Sequence, residues 1–138
     1  MCIRDSCYID DYAHHPEEIR AAVLSVREWF PGEKITGIFQ PHLYTRTRDF
    51  APEFAKSLDL LDQVVLMPVY PARELPIPGV GSEMIAGKMT SKNVIILDSQ
   101  QITGFVRDNK PRILLTLGAG NIDRLVGPIT ATLKEMNL

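Results

Sequence analysis

Short apolar runs, uninterrupted by polar residues, decide which architectures are open to this chain. Val64-Val65-Leu66 within 63–67, Val94-Ile95-Ile96-Leu97 and the runs within 34–39 and 112–117 are all too short for a helix. Tyr8-Ile9 reads as the tail of one more strand, ending at Asp10. A strand that faces solvent on one side alternates apolar with polar residues, whereas a strand covered on both sides has no reason to. These runs therefore predict a mostly parallel sheet lying between two layers of helix.

The segments between the runs supply those layers. From Pro16 the residues Ile19, Ala22, Val23, Val26, Trp29 and Phe30 recur at helical spacing, with Pro16 at the start and Pro31-Gly32 past the end. A second helix is predicted over about 49–61, with Phe50, Phe54, Ala55, Leu58 and Leu61 inward and Pro52 in its first turn. A short helix over 82–89 and a weaker one over 100–107 come next. The last, over about 121–134, carries Ile122, Leu125, Val126, Ile129 and Leu133. Residues 68–81, with Pro68, Pro71, Pro76 and Pro78, read as an ordered loop. Strictly alternating strands and helices predict one Rossmann-like α/β domain with helices on both faces of the sheet.

Composition narrows the function classes. At 138 residues the chain suits a single domain, with 45% apolar and 23% charged residues as in ordinary globular protein. Fifteen basic against 17 acidic residues leave a net charge of −2, which offers no electrostatic reason to expect nucleic acid or an anionic membrane as partner. No apolar run approaches the roughly 20 residues that span a bilayer. Arg4 and Asp5 interrupt the start, which does not resemble a signal peptide. Residues 1–7 share no pattern with the rest of the chain and read as a boundary or non-native leader, leaving 8–138 as the domain. Cys2 and Cys7 both lie in that leader, where a disulfide would close only a tiny loop, so unpaired thiols of a reducing compartment are expected.

Two segments concentrate the chemistry: Ile9-Asp10-Asp11-Tyr12-Ala13-His14-His15-Pro16 and Gln40-Pro41-His42-Leu43-Tyr44-Thr45-Arg46-Thr47. Each runs from a strand end to a helix start, and such turns share the ligand-binding edge of an open α/β sheet. Asp10-Asp11 could accept hydrogen bonds from sugar hydroxyls, or could serve as helix-start acids that complement the dipole. His14-His15 beside two aspartates invites a metal, but neighbouring histidines do not share a helix face and no further ligand set has metal-like spacing. Arg46, just ahead of a helix, could receive a small carboxylate or phosphate together with free backbone N–H groups, or could pair with Asp49 or Glu53. His42 could be a proton shuttle, a substrate hydrogen-bonder or a satisfied turn residue. Gly118-Ala119-Gly120-Asn121 comes after a buried strand and lets backbone approach a ligand, although it is not the full dinucleotide fingerprint. Neither a phosphate loop nor a nucleophile elbow occurs anywhere in the chain.

Taken in order, these segments resemble the C-terminal domain of the Mur ligases. Ile9 to Pro16 matches, as do Phe39-Gln40-Pro41-His42 with Tyr44-Thr45-Arg46-Thr47-Arg48, then Glu74-Leu75-Pro76-Ile77-Pro78-Gly79, then Gly118 to Asn121. The resemblance covers Ile9 to Met136, and its first two motifs favour the alanine-adding branch of the family. It implies cytoplasmic peptidoglycan synthesis by an ATP- and Mg²⁺-dependent amide ligation that joins L-alanine to UDP-N-acetylmuramate. The muramyl carboxylate would attack the γ-phosphate to give an acyl phosphate, and the alanine amine would then displace phosphate. A central domain would hold the phosphate loop and metals, and an N-terminal domain the UDP-sugar, so that this domain alone would be inactive.

Carried over position by position, the resemblance gives Asp11 the ATP ribose hydroxyls, with Tyr12 and His14 lining the cleft between nucleotide and amino acid. Arg46 would pair with the alanine carboxylate and His42 would help to position that substrate. Gly118, Ala119, Gly120 and Asn121 would form the far wall of its pocket. One position departs from the pattern: many members carry a basic residue directly after Pro-His, where this chain has Leu43, and a leucine cannot hold a carboxylate or an acyl phosphate. The alternatives are a stand-alone α/β module that binds a nucleotide or an amino acid, and a His/Asp metallohydrolase.

Overall fold

The computed structural model describes residues 1–4 and 6–137, so that Asp5 and Leu138 lie outside the described residues. Six strands, β1 (Cys2–Ile3), β2 (Ser6–Asp11), β3 (Ile35–Phe39), β4 (Gln63–Leu66), β5 (Val94–Ile96) and β6 (Ile113–Leu117), form one sheet in the order β1-β2-β6-β3-β4-β5. Every pairing is parallel except the hairpin of β1 with β2. The apolar runs occupy both sides of the sheet, as their lack of alternation requires. Ile35, Phe39, Val64, Leu66, Leu115 and Leu117 pack on one face against α1 (Pro16–Trp29), α2 (Tyr44–Leu58) and α3 (Ser82–Lys88). Ile38, Val65, Leu114 and Tyr8 pack on the other against α4 (Ile102–Asn109) and α5 (Val126–Met136).

Several boundaries differ from the sequence expectation, each for a local reason. α2 starts five residues early, at Tyr44, and bends at Phe50, whose φ of −119° and ψ of 15° are not helical. Pro52 has no N–H and its ring crowds the carbonyl four residues back, so the helix breaks there and restarts with Pro52 in the first turn of its second part. The final helix begins as a 3-10 turn over Asn121–Leu125 before becoming α5, and a 3-10 turn over Ser99–Gln101 precedes α4. Trp29 and Phe50, placed inward by spacing, are 62% and 36% exposed, because α1 ends at Trp29 and the bend turns Phe50 outward.

The thiol expectation is corrected. The β1–β2 hairpin makes Cys2 and Cys7 direct cross-strand partners, and the structure joins them in a disulfide with their Cα atoms 3.9 Å apart. Residues expected to stand apart from the domain thus extend its sheet at one edge. No helix among the described residues is long and apolar enough to cross a membrane.

Candidate functional site at the carboxyl edge of the sheet

β6 lies between β2 and β3, so the three segments that leave these strands meet at the carboxyl edge. Backbone bonds close the junction: Gly118 N–H donates to Asp11 O at 3.3 Å and Gln40 N–H to Leu117 O at 3.1 Å. Gly118 has a φ of +144°, and a Cβ there would sit 3.1 Å from Gln40 O, so a side chain would be both strained and crowded. Gly120 has an ordinary φ, but a Cβ on it would come within 2.8 Å of both Gln40 Oε1 and Tyr70 Cβ. The two glycines are needed because three loops converge on the same space.

The first loop separates the two aspartates. Asp10 accepts a 2.7 Å hydrogen bond from Thr116, whose hydroxyl in turn accepts one from Tyr8 at 2.8 Å. Burial, reinforced by the nearby Asp10 charge and partly offset by the Thr116 bond, pushes the Tyr8 phenol up to about 12. Asp11 instead accepts the Ala13 N–H on Oδ1 at 2.9 Å, shaping the turn, and its other oxygen has no hydrogen bond among the described residues. The start of α1 is capped from within, where Glu18 accepts the N–H groups of His14 and His15 at 3.3 and 3.1 Å. These bonds, the one from His14 foremost, hold the Glu18 carboxyl below its ordinary range. The aspartates are therefore not needed as caps, and one Asp11 oxygen has no partner among the described residues.

The two neighbouring histidines part company. His15 packs its ring on Phe50 at 5.1 Å, while the His14 ring lies 5.4 Å from that of Tyr12 and 6.3 Å from that of His42. Tyr12 is 70% exposed, an aromatic face free to stack. Among the described residues no three His, Cys, Asp or Glu side chains gather closely enough to hold a metal ion. The described residues therefore form no all-protein metal cage.

In the second loop, the Arg46 guanidinium donates to His42 Nδ1 at 3.4 Å and makes no ion pair among the described residues. The pairing with Asp49 considered for Arg46 belongs to Arg48, at 2.9 Å. The free N–H groups expected beside Arg46 are partly taken. Glu74, from the loop after β4, accepts the Thr45 N–H at 3.1 Å and the Thr45 hydroxyl at 2.5 Å. These hydrogen bonds, led by that of the hydroxyl, keep the Glu74 carboxyl below its ordinary range. Burial, aided by the neighbouring charges of Arg46 and His14, lowers the pKa of His42 against a smaller opposing pull from Glu74.

Three contributors were not singled out from sequence. Tyr70 stacks on His42 at 5.5 Å and pairs its backbone with Pro41 and Leu43, each at 2.8 Å. Those bonds hold Leu43 at a φ of +71°, a region costly for a leucine. Glu74 is the second, holding the first turn of α2 through Thr45. Gln40, buried, uses its amide to donate to Asn121 at 2.6 Å and Pro68 O at 3.4 Å, and to accept from Ile122 N–H at 2.9 Å. Gln40 and Glu74 both stand in the motifs quoted above, which gave neither residue a role of its own.

A cavity of about 710 Å³ lies at the opposite end of the strands, lined by Lys34, Asp62, Gln63, Asn109 and Arg112 among others. None of the candidate residues reaches it.

A family model described as Mur ligase, glutamate ligase domain, matches residues 2–120. The chain belongs to the Mur ligase family. It is 55% identical over 121 residues to the UDP-N-acetylmuramate–L-alanine ligase of Parabacteroides distasonis, covering 88% of this chain and 26% of that protein. The enzyme of the same name from Porphyromonas gingivalis is 50% identical over 129 residues, covering 93% and 28%. Among solved structures, the UDP-N-acetylmuramate–alanine ligase of Thermotoga maritima superposes with a TM-score of 0.71 at 25% identity, over 98% of this chain and 29% of that one. The chain thus spans little more than a quarter of the length of these Mur ligases.

Proposed function

We propose that this chain is the C-terminal domain of an ATP-dependent ligase that joins L-alanine to UDP-N-acetylmuramate in cytoplasmic peptidoglycan synthesis, and that it is inactive without the remaining domains. The names of its relatives support the substrates. The observation that carries the reading is Arg46, a guanidinium without an acidic partner among the described residues, set beside His42 at the carboxyl edge. A planar cation in that position suits the carboxylate of a small amino acid. Asp11, with one oxygen free, suits ribose hydroxyls, and exposed Tyr12 offers a face to the base. ATP supplies the phosphoryl group that activates the muramyl carboxylate. The metal that such chemistry requires would be held mainly outside this domain, whose described residues gather no ligand set. What this chain contributes is the placement of the amine against the activated carbonyl, a matter of position and charge. Gly118, Ala119, Gly120 and Asn121 wall that space, and His14 and His42 face each other across it.

The test is a full-length Parabacteroides ligase whose own C-terminal domain is replaced by this chain. It should release phosphate only with ATP, UDP-N-acetylmuramate and L-alanine together, whereas the chain alone should release none. Losing a charge-assisted contact of about 1.5–3 kcal/mol, Arg46→Ala should raise the KM for L-alanine by roughly 10- to 100-fold. Asp11→Ala should raise that for ATP. Turnover by the isolated chain, or an Arg46→Ala chimera with an unchanged alanine KM, would refute the reading.

A further inference from the structure

The ring-nitrogen partners of the two facing histidines assign them opposite tautomers. His14 Nδ1 lies 3.1 Å from the Tyr12 carbonyl oxygen and 3.5 Å from the Glu18 carboxylate. Both partners can only accept, so in the neutral ring Nδ1 carries the proton and the Nε2 lone pair is free. His42 Nδ1 lies 3.4 Å from the Arg46 guanidinium, which can only donate, so there Nδ1 holds the lone pair and Nε2 carries the proton. One imidazole is set up to take a proton and the other to donate a hydrogen bond.

We propose that His14 is the base that deprotonates the incoming amino acid, that Glu18 is its positioning residue, and that His42 is a hydrogen-bond donor and not a proton acceptor. The proposal rests on the ligase reading and divides roles which that reading leaves shared. An amino acid arrives as an ammonium ion and has no lone pair to attack with. His14 Nε2 takes one proton and passes it to solvent. The amine lone pair then forms the C–N bond to the acyl carbon. Collapse breaks the C–O bond to phosphate, whose oxygen leaves with the electron pair and takes up the second proton from nitrogen. The amide keeps one N–H, so protons and electrons balance.

The plain account of Glu18 is that it caps α1, which its bonds to the His14 and His15 N–H groups accomplish without the ring. Its reach to His14 Nδ1 is additional, and a carboxylate behind the proton-bearing nitrogen is the arrangement that fixes a catalytic imidazole. The groups facing the His14 ring are Tyr12 on its own turn, Glu18 on α1, and His42 from the loop before α2. Arg46 stands behind His42.

Two measurements test this. Long-range ¹⁵N–¹H NMR of the ring nitrogens in this chain should show His14 protonated at Nδ1 and His42 at Nε2. Glu18→Gln should lower the Nδ1-protonated share of His14 without abolishing it, since the Tyr12 carbonyl stays in place, and leave the tautomers of His42 alone. In the chimeric ligase, His14→Gln should lower kcat by about 10²- to 10⁴-fold and abolish the acidic limb of the kcat profile, with the alanine KM unchanged. His42→Gln should keep that limb. An Nε2-protonated His14, a loss under tenfold, or a loss confined to KM would overturn the proposal. The expected tautomers in a chimera with no ligase activity would refute the ligase reading and the base role with it. The opposite tautomers in an active chimera would refute the base role alone.

Discussion

Replacing Gln40 with leucine should cost this domain far more stability than one side chain usually does, because Gln40 alone ties three loops together. Its amide donates to Asn121 Oδ1 at 2.6 Å and more weakly to Pro68 O, and its carbonyl accepts the Ile122 N–H at 2.9 Å. Leucine fills a similar volume, so no large cavity opens, and the loss is polar. Two well-formed bonds contribute about 0.5–1.5 kcal/mol each, and leaving the Ile122 N–H buried without a partner adds about 1–3 kcal/mol, for a sum of about 2–6 kcal/mol. With a urea m-value of about 2 kcal/mol/M, the unfolding midpoint should fall by roughly 1–3 M at unchanged m. Hydrogen exchange at the Ile122 amide should accelerate first. Asn121→Ala is the control: it removes one exposed partner, leaves the Ile122 bond intact, and should cost about 1 kcal/mol or less. Equal costs for the two variants, or a Gln40→Leu cost below about 0.5 kcal/mol, would refute the idea that the glutamine holds the loops.

Gly120→Ala should destabilise by about 1–3 kcal/mol, read by thermal unfolding, since its Cβ would lie 2.8 Å from Gln40 Oε1 and from Tyr70. The Tyr8 phenol, pushed up to about 12, should ionise last of the four tyrosines in an ultraviolet titration. The folded state holds that proton more tightly than the unfolded chain. Stability should therefore be intact below about 10, the ordinary tyrosine value, and decline as pH rises through 12. Glu74 behaves in the opposite sense. Its carboxyl is held below its ordinary range, so its contribution is present above the unfolded value and lost as pH falls through the folded one. An acid titration followed at the Thr45 amide should show the step, and Glu74→Gln should remove it.

The sheet was legible because burial on both faces leaves a mark that no local competition disguises. Val64-Val65-Leu66 and Ile113 to Leu117 had to be covered strands whatever their neighbours, and they are. The early turn of α2 was not legible. Tyr44 to Arg48 has no apolar period, and tertiary bonds hold it as helix: Glu74 on Thr45, and the Thr47 hydroxyl on Leu43 O at 2.9 Å. The disulfide was misjudged on loop length alone, since a hairpin makes two cysteines five residues apart direct neighbours.

At the site, sequence could bring residue types to one edge but could not assign their partners, and the partners decide the chemistry. Arg46 looked like half of an anion cradle whose other half was the start of α2. Glu74 is already there, an anion supplied by the protein itself, and it takes the Thr45 N–H that a substrate carboxylate would need. The guanidinium is left to bind without that help. The same arginine sets the character of His42, because a ring nitrogen engaged by a guanidinium has no lone pair to offer a substrate proton. Glu18 does the reverse for His14, its carboxylate lying 3.5 Å from Nδ1. Two histidines that look interchangeable in the sequence thus differ in which of their nitrogens is free, and the difference comes from an arginine four residues after one and a glutamate four residues after the other.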